Sequence, residues 1–166
     1  MADGKSGHVA SAAVQSIFHP VISVSDMDMA LRFYGGILGL RQTFDDMHDQ
    51  AAIARLFGFT APVVRSVVFE CADATEFELV EFREPRGRAS TDREMNDAGI
   101  AALALRVTGL DQLVAGVEAG GYKILSGIVE QVLPDGAVLK VAVCIGPDQV
   151  KVILVQPPEG RKSLGA

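Results

Sequence analysis

The chain has 166 residues, 49% of them hydrophobic and 22% charged, which suits one compact domain or two small fused modules and excludes the disordered and fibrous classes. With 15 Lys and Arg against 21 Asp and Glu, the formal net charge is −6; no basic excess exists to neutralise phosphates, so neither nucleic acid nor a membrane surface is an expected partner. Residues 1–15 are small and polar without the apolar run of a secretory signal, and no later stretch is long and apolar enough to cross a bilayer. The expectation is a cytoplasmic protein with a loose N-terminal arm. Cys71 and Cys144 each sit in a strand-like run without zinc-type spacing and read as buried free thiols.

Residues 17–24 alternate as a strand does, with Phe18, Ile22 and Val24 on an apolar face and His19, Val21 and Ser23 on the other. Pro20 lacks a ladder donor, a feature of edges and bulges. Ser25 to Asp28 gives a Ser-x-x-Asp helix start, and Met27, Ala30, Leu31, Tyr34, Ile37 and Leu38 recur at helical spacing up to a stop at Gly39. That helix packs most simply on the apolar face of the strand. A strand over residues 40–44, a short helix over 49–57 ending at Gly58, and a hairpin of 63–71 and 75–82 complete a β-α-β-β-β module spanning residues 16–84. Residues 85–98, charged and containing Pro85, Gly87 and Asn96, read as a linker.

A second module follows over residues 99–157. Its first strand, 101–107, sets Leu103, Leu105 and Val107 against Ala102, Ala104 and Arg106. Leu110, Leu113, Val114 and Val117 then make a helical stripe that stops at Gly120-Gly121. Strands over 122–125, 137–145 and 150–156 complete it, the last two joined by the turn Gly146-Pro147-Asp148-Gln149, and residues 158–166 form a tail. The two modules superpose in sequence. His19 to Val24 lies over Ala102 to Val107, and Met27-Asp28 over Leu110-Asp111, at one constant offset. Phe77-Glu78-Leu79-Val80 matches Val152-Ile153-Leu154-Val155 in the same way. An internal duplication predicts an α+β fold of two tandem β-α-β-β-β modules, with a generic ferredoxin-like repeat as the competing reading.

The segment Phe18-His19-Pro20-Val21-Ile22-Ser23-Val24-Ser25-Asp26, the helix from Met27 to Tyr34 and the stop Leu38-Gly39-Leu40 together resemble the opening unit of the vicinal oxygen chelate superfamily. That superfamily includes glyoxalase I, methylmalonyl-CoA epimerase, extradiol dioxygenases and bleomycin-binding proteins. The resemblance implies sheets curled into an open barrel around a cleft, with four strand positions turned inward as metal ligands. These positions fall on His19, Glu78, Ala102 and Ile153. His19 keeps the family spacing to Asp26, and Glu78 opens the segment Glu-Leu-Val-Glu as the family ligand does; Ala102 and Ile153 depart from the pattern because neither binds a cation. Alternation independently sets His19 beside Val21 and Ser23, and Glu78 beside Glu76 and Val80, away from the helix. One imidazole and one carboxylate would hold a divalent metal only weakly.

Three routes complete such a site. Glu78 can act without metal as a general base beside a carbonyl, with His19 as its acid or orienting partner. A homodimer, which the resemblance also implies, can bring two such pairs together across a two-fold axis. His48, in the run Asp45-Asp46-Met47-His48-Asp49, can supply a ligand, although such a run is more often a solvated loop. Arg106, opposite Ser23 in the duplication, can grip a carboxylate or phosphate of a small-molecule ligand; the plainer reading is a strand-end arginine that pairs with a glutamate or reaches solvent. Lys140 and Lys151 also fall on cleft-side registers. No Gly-rich phosphate loop, Gly-x-Ser-x-Gly elbow or Cys-His pair is present, so neither a nucleotide cofactor nor covalent catalysis is expected.

The leading expectation is a lyase or isomerase similar to glyoxalase I and the epimerase, transferring a proton at Glu78 on a small carbonyl-containing metabolite, with Ser23, Arg106, Ala102 and Ile153 around the ligand. A non-catalytic binding protein for an antibiotic or aromatic compound is the rival, motivated by hydrocarbon at Ala102 and Ile153. An extradiol-type dioxygenase stands third, one imidazole short of its two-histidine, one-carboxylate iron set.

Overall fold

The computed structural model describes residues 13–88 and 94–161. Most of the expected arm at residues 1–15, residues 89–93 of the expected linker and residues 162–166 of the expected tail lie outside the described residues. Among the described residues no helix is long and apolar enough to cross a membrane.

Two open sheets make up the fold. The first runs in the order β1 (Val21–Ser23), β4 (Glu76–Glu84), β3 (Val63–Glu70), β2 (Arg41–His48). The second runs β5 (Leu103–Arg106), β9 (Lys151–Gln156), β8 (Val138–Ile145), β6 (Lys123–Ile124), with β7 (Val129–Val132) also paired to β8. In each sheet the opening strand lies parallel to the closing one, and the register repeats. Val21, Ile22 and Ser23 stand opposite Glu78, Leu79 and Val80; Ala104, Leu105 and Arg106 stand opposite Ile153, Leu154 and Val155. The Val24 N–H donates to the Val80 carbonyl at 2.9 Å, and the Val107 N–H to the Val155 carbonyl at 2.8 Å. These are the residues that superpose in sequence, so the duplication holds at the level of individual hydrogen bonds.

Local chemistry explains where the elements depart from simple periodicity. The first strand begins at Val21, because Pro20 has no N–H to donate; its carbonyl still accepts from the Glu78 N–H at 2.9 Å. Ile17 and Phe18, expected in that strand, are exposed. Helix α1 (Met27–Leu31) is capped by Asp26, whose carboxylate accepts from the Met29 N–H at 2.9 Å, and not by Ser25. The helix then widens into a π-helix over Arg32–Ile37, with the Leu38 N–H reaching back to the Phe33 carbonyl. The wider turn points both Phe33 and Tyr34 inward, fully buried, where helical spacing of 3.6 residues selected Tyr34 alone. Strand β2 continues to His48, so the acidic run is strand and not loop; it pairs with β3 through a bulge between Gln42 and Phe44. Helix α2 (Ala51–Phe57) ends at Gly58, whose φ of 72° is the left-handed cap expected there. Strand β7 has no counterpart in the sequence reading.

One core serves both modules. Helix α3 (Leu110–Ala119) packs against the π-helix, and a Cβ on Gly120 or Gly146 would strike Ile37 or Phe33 respectively. Phe33, Tyr34, Phe69, Phe77 and Leu79 thus share a cluster with Val117, Cys144, Val152 and Leu154. Burial of this kind contributes about 1.5–3 kcal/mol per large side chain. Both cysteines are free; burial pushes the Cys144 thiol up to about 11 and raises that of half-buried Cys71.

Candidate functional site

Along β4, Phe77 and Leu79 are buried in the shared core, so Glu76, Glu78, Val80 and Phe82 belong to the opposite, open face. Register extends this face across the sheet. Val21, Glu78, Val68 and Phe44 form one row, and Ser23, Val80, Ser66 and Asp46 the next. His19, just before β1, lays its Nε2 3.3 Å from Glu78 Oε2, with side chains 18% and 21% exposed. The pair is therefore real in space, partly dehydrated and open on one side. Phe18 tilts against the imidazole at 4.7 Å between ring centroids, and the buried Nδ1 has no hydrogen-bond partner. The two polar groups of the pair address each other.

The remaining sequence candidates are distributed as follows. Ser23 lies on the same open face, one row from Glu78, and is exposed. Ala102 lies just before β5, and Ile153 stands in β9 opposite Ala104 and Val143, at the positions that match His19 and Glu78. A cavity of about 350 Å³ joins Val21, Ser23, Ala102 and Lys151 along the seam between β1 and the second module. Lys151 is buried there on the cleft-side register. Arg106 is exposed and donates to the Arg161 carbonyl at 2.6 Å, which ties the segment after β9 to β5. Lys140 corrects the expectation made for it. It shares a side of β8 with core residues Ala142 and Cys144 and meets Glu130 at 3.5 Å, because even positions of that strand face the helix.

His48 also stands on the open face, stacked on Phe44 at 6.0 Å. It is two strands and two rows from Glu78, about 16 Å between Cα atoms at ordinary sheet spacings, so it cannot ligate an ion held by the pair. Ala102 and Ile153 offer no donor. Among the described residues no group of three or more His, Cys, Asp or Glu can hold a metal ion. A donor set of one imidazole and one carboxylate does not fit a metal retained by the protein alone, whose shell needs more ligands.

The sequence reading missed an aromatic corner and two arginines. Phe57 and Phe59, in and after α2, set their ring edges on Phe82 at 5.3 and 5.4 Å. Arg86, Arg88, Phe82, Ser23, Ser25 and Asp148 line a second cavity of about 320 Å³ at the end of the open face. The arginines fall in a stretch whose composition reads as linker; the only sequence signal was their spacing around Gly87.

The parallel first and last strands of each module, repeated in register around two open sheets, agree with comparisons against known proteins. The model of the Glyoxalase/Bleomycin resistance protein/Dioxygenase superfamily matches residues 16–152. The chain belongs to that superfamily. No curated protein matches it. Among solved structures, a glyoxalase family protein from Bacillus cereus superposes with a TM-score of 0.76 at 18% identity, covering 89% of this chain and 97% of that one. A glyoxalase/dioxygenase from Nostoc punctiforme gives 0.59 at 23% identity, covering 89% and 100%. The fosfomycin resistance protein FosX from Listeria monocytogenes, in a complex with Mn(II) and sulfate, gives 0.58 at 11% identity, covering 89% and 96%. At these identities the likeness is one of fold.

Proposed function

We propose that this glyoxalase-superfamily protein is a lyase or isomerase that transfers a proton on a small carbonyl-containing metabolite. The observation that carries this reading is the contact of His19 Nε2 with Glu78 Oε2 on the open face. In this reading Glu78 takes the proton from the carbon next to the carbonyl, as a positioned carboxylate within reach of that C–H acts as a general base. His19 holds the carboxylate in place and returns a proton to the oxygen or carbon that needs it. The test is solvent exchange at the substrate α-carbon. A panel of α-hydroxyketones, α-keto acids and acyl thioesters is incubated in heavy water with the protein and followed by proton NMR. Wild type is expected to exchange at least one class, and Glu78→Gln to lose at least a hundredfold in rate. Equal exchange by Glu78→Gln would remove Glu78 from the mechanism.

A second reading is a non-catalytic binder of a planar organic compound, favoured by the hydrocarbon at Ala102 in the seam cavity, by Ile153 in β9 and by the corner of Phe57, Phe59 and Phe82. Stoichiometric binding of an aromatic compound without any exchange would select it. A weakly held divalent ion at His19 and Glu78 is carried as a proposal beside the first reading; metal content of purified protein is compared with that of His19→Ala. A homodimer is also proposed. Val129, Val132 and Val138, exposed on β7 and β8, give it an apolar surface, and light scattering of the purified chain tests it.

A further inference from the structure

We infer that the cavity at the end of the open face is an anion subsite, and that it fits a ligand with a phosphate, phosphonate or carboxylate head on a flat apolar body. This deepens the reading of Glu78 as the reactive group, on which the subsite's role in turnover rests. Phe82 is on the face that carries Glu78, four residues along β4, about 13 Å away at strand spacing. Ser23, in the row between them, opens on the same cavity. A ligand that reaches from Glu78 to the arginines therefore lies along Ser23 and ends against the ring of Phe82.

The charges of the cavity are laid out for a negative head. Arg86 and Arg88 are exposed at its mouth, and among the described residues neither makes a hydrogen bond or ion pair. The one carboxylate in the wall, Asp148, is engaged: one oxygen accepts the Ser25 N–H at 2.9 Å and the other accepts the Ser25 hydroxyl. Arg83, the neighbouring cation in sequence, is held by Glu81 at 3.0 Å and takes no part. Planar guanidiniums beside an aromatic ring recognise an oxyanion attached to an apolar group, the guanidiniums by paired N–H donors and the ring by contact area. Arg106, the arginine that the duplication places on the open face, instead donates to the Arg161 carbonyl.

The experiment uses the full chain and phenylphosphonate as probe, with inorganic phosphate and benzyl alcohol alongside, followed by amide chemical shifts. Phenylphosphonate is expected to shift Ser23, Ser25 and Gly87 in a saturable way, phosphate to shift the same residues more weakly, and benzyl alcohol to leave Gly87 in place. The double variant Arg86→Ala/Arg88→Ala is expected to weaken phenylphosphonate at least tenfold, and Arg86→Lys/Arg88→Lys to recover part of the loss. Shifts that map elsewhere, or equal binding by the double alanine variant, would overturn the subsite. Glu78→Gln separates the two claims, since it should bind phenylphosphonate as wild type does. If that variant keeps full exchange activity while the arginine variant loses binding, the proton-transfer reading falls and the subsite stands.

Discussion

Ser25 and Asp26 show how neighbouring polar residues divide the work at a strand-to-helix turn. Asp26 caps α1, while Ser25 turns to Asp148 in the second module. Asp148 and Gln149 both sit at positive φ, 54° and 61°, an arrangement that L residues adopt only where partners hold it. A sequence cannot reveal that division, because either residue alone satisfies the capping pattern. Arg65 makes a comparable bridge, with two nitrogens on the Asp45 carboxylate at 2.8 and 2.9 Å and a third on Asp28 at 3.1 Å. The hydrogen bond from Arg65 holds the Asp45 carboxyl below its ordinary value. Its contribution to stability is thus complete above the unfolded-state value of about 3.9 and disappears as pH falls through the lower native one. Urea midpoints measured from pH 6 down to pH 2 should fall faster for wild type than for Asp45→Asn, with the two curves converging at the acid end. The contact of His19 with Glu78 matters for activity and little for stability. A partly exposed pair contributes at most about 1 kcal/mol, so His19→Gln is expected to leave the thermal midpoint within a few degrees of wild type while abolishing α-proton exchange.

Among the elements, those built on plain periodicity were legible and those built on exceptions were not. Helix α3 follows from its apolar stripe and double-glycine stop, and the hairpin of β3 and β4 from its run of Val and Phe bounded by turn residues. The π-helix escaped because one residue inserted into a helix shifts every later side chain by about 100°, and no residue type marks the insertion. Strand β7 escaped because its four residues, Val-Glu-Gln-Val, are all exposed and carry no burial pattern. Two glycines at this packing layer separate steric from conformational effects. Gly146 has a φ of −84°, which any residue adopts, yet a Cβ there would lie 2.9 Å from the ring of Phe33. Gly146→Ala should therefore cost about 1–3 kcal/mol by overpacking. Gly36, exposed in the π-helix, has nothing within 4 Å of a Cβ, and Gly36→Ala should be neutral or stabilising by up to about 1 kcal/mol through lost freedom in the unfolded chain. Denaturant unfolding of the two variants beside wild type checks both signs.

The duplicated architecture was readable because each module needs the same alternation of core and open face, so the matching strands carry matching patterns. The pairing of His19 with Glu78 was readable for the same reason. How the halves dock was not, since Phe33, Gly120, Gly146 and the Ser25–Asp148 contact are each ordinary in sequence and acquire their meaning only across the seam. Docking through one core has a thermodynamic consequence, because neither module buries its helix layer alone. Phe33 lies within 5.0 Å of Tyr34 and 4.6 Å of Tyr122 between ring centroids, and these are the only tyrosines in a chain without tryptophan. Each half therefore carries its own fluorescent reporter. Tyr122→Phe leaves a signal from the first module and Tyr34→Phe one from the second, and the latter removes a buried hydroxyl that lacks a partner, so it should cost little. Corrected for the small stability change of each substitution, the two signals should melt together and in step with the circular dichroism of the backbone. Phe33→Ala, which empties the layer between them, is expected to cost about 3–5 kcal/mol and to lower both signals by the same amount. Separate midpoints for the two tyrosines would mean that the modules fold independently, with the seam a contact between finished domains.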